Sequence, residues 1–229
     1  MLGLDSMICP NCGQEIPNKS KFCMFCGTPI TDKNWFIPAQ PEDTDPKDYE
    51  VYDANLKNPK KGAEIRFGHY SNGQSIIWKI LKIKDNMLLI ISSNSICKMH
   101  YHDSLDDNVI WADCKMRNWL NNDFLNGYFS PEEQSKIVSS KIRNVKNPDF
   151  DTPGGITTTD KVFLLSIKEA EQYFANDEAR STGSSWWLRS PGCDLDVAAY
   201  VYEDGWIDTH GDGAEMPYDI RPALWLKMD

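Results

Sequence analysis

The pattern of apolar and polar residues in the middle of the chain predicts a small sheet. Residues 64–70 alternate with the period of two that is typical of a strand with one buried face, and the apolar-rich runs at 76–83 and 87–92 are also typical of strands. Asp85 and Asn86 separate the second run from the third, and both residue types favour a tight turn. The pattern therefore predicts three strands in an antiparallel meander.

A period close to 3.6 predicts a short amphipathic helix within residues 113–125. Its apolar positions share one face: Met116, Trp119, Leu120 and Phe124. Two capping signals predict the start of further helices, because Ser130 is followed three residues later by Glu133, and Ser166 by Glu169. The second signal comes directly after a predicted strand at residues 162–165.

The end of the chain is rich in aromatic residues and turn-forming glycines. Short strands are predicted at residues 186–188, 198–202, 203–207 and 220–226. Strands and short helices alternate without a regular strand–helix–strand rhythm. The predicted fold class is therefore α+β, with short antiparallel strands and two or three short helices.

Composition limits the functions that the whole chain can have. The 229 residues are 41% hydrophobic and 11% aromatic, enough for one medium domain with a core and a small additional module. The formal net charge of −10 argues against duplex nucleic acid or an anionic membrane as a partner. The first residues show no secretory signal, and the longest apolar run is too short for a membrane span, so we expect a cytoplasmic protein.

Four of the seven cysteines form two Cys-x-x-Cys pairs: Cys9 with Cys12, and Cys23 with Cys26. Two residues between cysteines allow one tight turn to present both thiolates to one ion, and two such turns complete a tetrahedral shell. The spacing predicts one structural zinc per chain with no open coordination position. A redox dithiol is the alternative, although such motifs normally occur singly.

The ribbon segment is followed by a proline-rich, acidic stretch and then by the larger domain. The strings Cys-Pro-Asn-Cys-Gly and Lys-Phe-Cys-Met-Phe-Cys-Gly closely resemble the short zinc ribbons found at the N-termini of many bacterial proteins, which implies a docking module. The predicted organisation is a zinc ribbon at residues 8–31, a linker at 32–62 and a domain at 63–229. The linker composition gives no basis for predicting strands within it.

Six strings of the larger domain resemble a bacterial family of uncharacterised domains: Phe67-Gly68-His69-Tyr70, Trp78-Lys79-Ile80-Leu81, Arg117-Asn118-Trp119-Leu120-Asn121, Asp160-Lys161-Val162-Phe163-Leu164-Leu165-Ser166, Trp186-Trp187-Leu188-Arg189-Ser190-Pro191-Gly192 and Arg221-Pro222-Ala223-Leu224-Trp225-Leu226. The resemblance implies a C-type-lectin-like fold, related to the formylglycine-generating (sulfatase-modifying) enzymes and to ligand-binding variable proteins of retroelements. Those enzymes use a cysteine pair near the end of the fold, whereas Cys193 is the only cysteine after residue 114 here. Calcium remains a possible cofactor, but no calcium-lectin motif supports it.

The candidate ligand-binding surface lies in the acidic C-terminal segment. Residues 194–219 contain eight carboxylates, and no lysine or arginine lies between Arg189 and Arg221. Aromatic side chains interleave with the carboxylates, and this combination favours recognition of a ligand or a cationic partner. The candidate residues are Trp187, Arg189, Tyr200, Tyr202, Trp206, Asp208, His210 and Asp212. The alternative is a set of solvated turns, with the flanking arginines satisfying buried carboxylates.

The sequence favours a non-enzymatic binding protein whose partner is another protein or a small ligand. The alternative is a metal-dependent oxidoreductase of the sulfatase-modifying type, which would require several His, Asp or Glu side chains to converge in a pocket. The segment at residues 100–103, His-Tyr-His-Asp, offers possible metal ligands, but the spacing names no third or fourth ligand. We expect it to be a polar loop.

Overall fold

The computed structural model describes residues 58–103 and 109–228, together with the backbone of three short strands that precede them. The strands are β1 Ser6–Ile8, β2 Glu15–Pro17, β3 Val51–Asp53, β4 Glu64–His69, β5 Ser75–Lys84, β6 Met87–Ser92, β7 Lys98–Met99, β8 Ser140–Ile142, β9 Thr158–Asp160, β10 Val162–Phe163, β11 Trp186–Pro191, β12 Val197–Val201, β13 Ile207–Gly213, β14 Tyr218–Asp219 and β15 Ala223–Lys227. The α-helices are α1 Lys115–Trp119, α2 Leu125–Tyr128, α3 Pro131–Lys136, α4 Ile167–Tyr173 and α5 Asp177–Arg180. The mixed, sheet-rich architecture with short helices confirms the α+β class.

The first large sheet has six strands in the order β10-β15-β6-β5-β4-β3. Strands β4, β5 and β6 pair antiparallel in sequence, which confirms the predicted meander. Asp85 and Asn86 form its second turn with positive φ angles of 49° and 58°, a backbone conformation that these two residue types tolerate. The last strand, β15, pairs with β6 along its whole length and lies between β6 and the edge strand β10.

Strand β3 lies inside the segment that the sequence assigned to a linker. It pairs in parallel with β4, from Val51 opposite Glu64 to Asp53 opposite Arg66. Proline-rich flanks and a run of only three residues hide such an edge strand from any periodicity argument. The sheet therefore extends into residues 32–62.

The second sheet carries the candidate surface and has five strands in the order β13-β12-β11-β14-β7. Strand β11 lies in its centre and is buried along both faces, which explains its nearly continuous run of large residues. Trp186 in β11 and Trp119, on the predicted apolar face of its helix, are core residues at 0% and 7% exposure. Trp187, which points to the opposite face of β11, is also fully buried.

The predicted amphipathic helix is divided in two by a π-helical turn, Leu120–Phe124, between α1 and α2. Asn121 lies in this turn, and its amide nitrogen donates to the carbonyl oxygens of Arg117 and Val162, at 3.0 and 2.8 Å. Its amide oxygen accepts the backbone N–H groups of Lys161 and Val162. One side chain thus joins the helix to β10, in agreement with the usual placement of π turns where a side chain makes specific contacts.

Both predicted capping boxes are present. The hydroxyl of Ser130 accepts the backbone N–H of Glu133 while the Glu133 carboxylate accepts the backbone N–H of Ser130, which starts α3. Ser166 and Glu169 make the same reciprocal bonds at the start of α4. Helix α5 was not predicted, because four residues are too few to show a period.

Candidate functional site

A series of aromatic rings crosses the second sheet from the interior to the surface. Trp187 contacts the ring of Tyr218 at 4.8 Å between centroids, and Tyr218 contacts Tyr200 at 4.7 Å. Tyr200 contacts Tyr202 at 4.9 Å, and Tyr202 stacks on Trp206 at 5.4 Å with 28° between the ring planes. Trp187, at the inner end of the series, is 0% exposed, and Trp206, at the outer end, is 52% exposed. We call Tyr202 and Trp206, with Asp208 and Asp212, the aromatic–acidic surface.

Strand register explains why these side chains share one face. Tyr200 lies opposite Trp187 on one side and opposite Asp208 on the other, and directly opposite residues of paired strands point the same way. Asp212 lies opposite Ala198, two residues from Tyr200 and therefore on the same face. The register of β12 and β13 shifts between the pair Ala198–Asp212 and the pair Tyr200–Asp208, so β13 has additional residues there. Strict alternation along the sequence does not predict this shift.

A tight turn holds Trp206 against Tyr202. The backbone N–H of Tyr202 donates to the Trp206 carbonyl at 2.8 Å, and the Asp204 carboxylate accepts the Trp206 N–H at 3.0 Å. Gly205 has a φ of +91°, and a Cβ at this position would collide with the carbonyl oxygen of Asp177 in α5. The Arg180 guanidinium donates to the Gly205 carbonyl at 2.9 Å. Helix α5 thereby fixes the turn that presents Trp206.

The tyrosines beside the surface stay protonated, so its charge comes from the carboxylates. Burial, with the hydrogen bond to Tyr202, raises the pKa of Tyr200, and burial with the bond to Asp212 raises the pKa of Tyr218 to about 12. The Tyr218 hydroxyl donates to Asp212 at 2.6 Å. No salt bridge among the described residues involves Asp208 or Asp212.

The structure separates the other candidate ligand residues from this surface. Trp187 lies beneath it, and Tyr200 at 4% exposure supports the outer rings. Arg189 is 5% exposed, and its guanidinium pairs with Glu169 and donates to the Leu164 carbonyl at 2.7 Å. The aromatic–acidic surface is therefore defined without Trp187 and Arg189.

His210 is exposed, but its imidazole ring contacts Phe150 and Cys193 rather than the rings of the aromatic–acidic surface. Its ring lies edge-on to Phe150 at 5.5 Å, and its Nδ1 is 3.6 Å from the Cys193 sulfur. The sequence argument did not pair Cys193 with His210, because seventeen residues and two turns separate them. It also missed Tyr218, whose position beside Asp212 depends on the pairing of β14 with β11.

The two flanking arginines have structural partners. Arg221 lies over the ring of Trp186 at 4.8 Å and donates to the Ser92 carbonyl through Nε and Nη2. Burial lowers its pKa to about 10, with the nearby Asp219 opposing the change. The alternative that these arginines serve the fold, with Arg189 satisfying a partly buried carboxylate, agrees with these contacts.

The segment at residues 100–103 forms a loop after β7. The Nδ1 of His102 accepts the Lys115 backbone N–H at 3.3 Å, and the Asp103 carboxylate pairs with the Lys115 amine at 2.8 Å. Burial lowers the pKa of His100, against the opposing influence of Asp103. Within residues 58–103 and 109–228, no three His, Cys, Asp or Glu side chains are arranged to hold a metal ion.

The predicted zinc ligands lie outside the described residues. Strands β1 and β2 pair antiparallel from Ser6 opposite Pro17 to Ile8 opposite Glu15, and Cys9 and Cys12 fall in the connection between them. The ligand assignment of Cys9, Cys12, Cys23 and Cys26 stays a prediction. The four thiolates are the donor set that a closed zinc site requires.

Comparison with known proteins identifies two families along the chain. A model described as a domain of unknown function, DUF6273, matches residues 85–228, and a zinc-ribbon model matches residues 8–30. Neither a curated protein nor a solved structure matches the chain. Among the described residues, no helix combines the length and the apolar composition needed to cross a membrane.

Proposed function

The chain belongs to the DUF6273 family, a family described as a domain of unknown function, and we propose that it is a non-enzymatic binding protein. Its larger domain offers the aromatic–acidic surface to a ligand, and the zinc ribbon at its N-terminus serves as a second, structural docking module. The exposed stack of Tyr202 and Trp206, beside two carboxylates that make no salt bridge among the described residues, is the observation that carries this proposal.

Rigid exposed rings are favourable for binding because little conformational entropy is lost when a ligand covers them. Trp206 has few alternative positions, since its turn is bonded to Tyr202 and fixed by Gly205 against α5. The supporting rings of Tyr200 and Tyr218 pack behind the stack. The residues that supply the contact area are therefore largely ordered before a ligand binds, so little further conformational entropy is lost on binding.

The charge of the surface selects the chemistry of the ligand. No salt bridge among the described residues engages Asp208 or Asp212, so both carboxylates are available to a cationic group of a ligand. A ligand that places a flat or apolar group on Trp206 and a cationic or hydrogen-bond-donating group near Asp208 satisfies both features. Glycans and basic peptides have this combination.

The domain organisation is part of the proposal. Residues 8–31 form the zinc ribbon with one structural zinc, residues 32–62 connect it, and residues 63–229 form a C-type-lectin-like domain. The pairing of β3 with β4 supports a connection that is partly built into the domain rather than free along its whole length. We propose a cytoplasmic location for the chain.

The oxidoreductase alternative has no observation in its favour within the described residues. That alternative needs three or more convergent ligands, and none are grouped there. Cys97 and Cys114 are buried separately, and Cys193 contacts His210 rather than a second cysteine. The binding function is therefore the only candidate that we develop.

The test is a binding screen with the full zinc-loaded chain against immobilised glycans, basic peptides and calcium. Each hit is repeated with Trp206→Ala and with Asp208→Asn. Ile156→Ala, which removes a more exposed apolar side chain elsewhere, and Asp85→Asn, which removes a carboxylate in the other sheet, are the matched controls. We expect the first pair to weaken binding at least about tenfold and the controls to leave it unchanged. A hit that survives both surface substitutions, or the lack of any hit, would contradict the proposal.

A further inference from the structure

Cys193 and His210, a residue of β13, form a thiol–imidazole pair. The Cys193 sulfur lies 3.6 Å from the His210 Nδ1, within the range of a hydrogen bond to sulfur. The backbone N–H of Cys193 also donates to the His210 carbonyl at 2.7 Å. The pair is thus fixed by main-chain as well as side-chain contact. Its function differs from the binding role proposed above, although Asp208 borders both sites.

A buried asparagine holds the two segments that carry the pair. The Asn147 amide nitrogen donates to the carbonyl oxygens of Pro191, Gly192 and Thr209, at 2.9, 3.1 and 2.7 Å. The Thr152 hydroxyl donates to the Cys193 carbonyl at 2.9 Å. These bonds reach across the ends of β11 and β13 and fix the spacing of the thiol and the ring.

Two glycines allow the close approach of these backbones. A Cβ on Gly192 would collide with the His210 carbonyl oxygen. Gly211 has a φ of +82°, and a Cβ there would lie 2.9 Å from the Gly192 Cα. Any larger residue at either position would push Cys193 away from His210, so the local sequence is adapted to their contact.

The other two described cysteines, Cys97 and Cys114, are buried. Burial raises the pKa of Cys97, with a contribution from Asp219, and raises the pKa of Cys114 to about 12. Both remain neutral thiols at physiological pH and are shielded from solvent. Cys193 is partly exposed and has a ring nitrogen that can take its proton.

We propose that Cys193 and His210 form a thiol–disulfide exchange site for small disulfides without negative charge. With the His210 proton on Nε2, Nδ1 accepts the proton of the Cys193 thiol. The thiolate attacks one sulfur of the disulfide, the disulfide bond breaks, and a mixed disulfide forms on Cys193. The released thiolate takes the proton back from His210 and leaves as a thiol. One disulfide replaces another, so no separate oxidant is needed.

Acidic groups around the pair determine which charge on the disulfide is preferred. Asp208 accepts the backbone N–H groups of His210 and Gly211, at 2.9 and 3.2 Å, and Asp194 follows Cys193 directly. No lysine or arginine lies between Arg189 and Arg221 to offset them. A cationic disulfide is attracted to this field and an anionic one is repelled.

The experiment treats the zinc-loaded full chain with cystamine, hydroxyethyl disulfide or dithiodipropionate, which are cationic, neutral and anionic. Free thiols are then blocked with N-ethylmaleimide, and tryptic peptides are analysed by mass spectrometry. Residues 190–227 contain a single cysteine, Cys193, and no internal cleavage site other than the resistant Arg221-Pro222 bond. We expect mixed disulfide on this peptide at rates in the order cationic, neutral, anionic.

His210→Gln should slow the reaction with cystamine at neutral pH by at least about tenfold, because the proton acceptor is lost. His69→Gln, which removes another exposed imidazole, is the matched control and should react like the unchanged chain. Lack of reaction at Cys97 and Cys114 in the same samples shows that each variant is folded. An unchanged rate in His210→Gln, or equal rates for the cationic and anionic disulfides, would overturn the proposal.

Discussion

Tyr202 and Trp206 stack on each other at the surface of the second sheet, with 5.4 Å between ring centroids. Three residues of chain lie between them, and the turn that they form returns Trp206 beside Tyr202. The stack is the outer end of a ring series that begins at the buried Trp187. The same sheet thus supplies a rigid interior and a large exposed aromatic pair.

Alanine substitution should destabilise the protein much more at a buried tryptophan than at an exposed one. Trp186→Ala removes a ring that is fully buried and lies under the Arg221 guanidinium, so we expect a loss of about 3–5 kcal/mol in the free energy of unfolding. Trp206→Ala, the matched surface substitution, should cost less than about 1 kcal/mol. Urea unfolding followed by circular dichroism measures both. Equal losses would show that the two rings are not placed as described.

Gly205→Ala tests whether α5 supports the Trp206 turn. The added methyl group would meet the Asp177 carbonyl oxygen, whereas Gly62, with a similar φ of +87°, has nothing within 4 Å of the equivalent position. Both substitutions introduce backbone strain, but only the first introduces a collision. We expect Gly205→Ala to destabilise the protein by at least about 1 kcal/mol more than Gly62→Ala in the same unfolding experiment. A smaller difference would argue that the turn moves freely.

The Glu169–Arg189 ion pair predicts a dependence of stability on pH. Burial alone would raise the pKa of Glu169, but the Arg189 guanidinium and the Ser166 hydrogen bonds outweigh it and lower the pKa below its usual 4.5. The stability gained from this carboxylate is therefore fully present above its unfolded pKa and is lost as pH falls towards the folded value.

Glu169→Gln should accordingly cost about 3 kcal/mol at pH 7, because it leaves the buried Arg189 without its partner. The difference from the unchanged chain should shrink as unfolding is measured at successively lower pH, below about 4.5. Glu171→Gln, an exposed position in the same helix, is the control and should have little effect at any pH. A difference that stays constant down to low pH would contradict the assigned pairing.

Replacing Cys23 with serine tests the zinc ligands. The substitution removes one of four soft ligands, so we expect zinc content, measured by atomic emission on the purified chain, to fall well below one per chain. The urea transition of the larger domain should be retained, because its core lies elsewhere. Cys193→Ser, which removes a cysteine outside the ribbon, should keep the zinc. Stoichiometric zinc in Cys23→Ser would disprove the assignment.

Local patterns predicted much of the fold. The meander, its Asp85-Asn86 turn and the capping boxes at Ser130 and Ser166 all depend on neighbours close in sequence, and all are confirmed. The π-helical turn was missed because its cause, the bonding of Asn121 to Val162, is a contact between distant residues. Strand β3 was missed for a similar reason, since only its pairing with β4 defines it.

The candidate surface was predictable only in part. Alternation placed Tyr200 and Tyr202 on one face, and the turn at Gly205 was visible as a glycine after an aspartate. Burial of Trp187 and Arg189 could not be read from composition, because a central strand covered on both faces has no polar side. Pairing of Cys193 with His210 depends on a contact between residues distant in sequence, the bond from the Cys193 N–H to the His210 carbonyl, which no local pattern encodes.

The binding proposal is tested most directly by fluorine NMR on the full chain labelled with 5-fluorotryptophan, titrated with the ligand found in the screen. The chain has eight tryptophans, and Trp206→Phe assigns the resonance of Trp206. If the aromatic–acidic surface is the site, the Trp206 resonance shifts in proportion to occupancy, while those of the buried Trp78, Trp111 and Trp186 stay in place. Saturable binding with an unmoved Trp206 resonance would contradict the account.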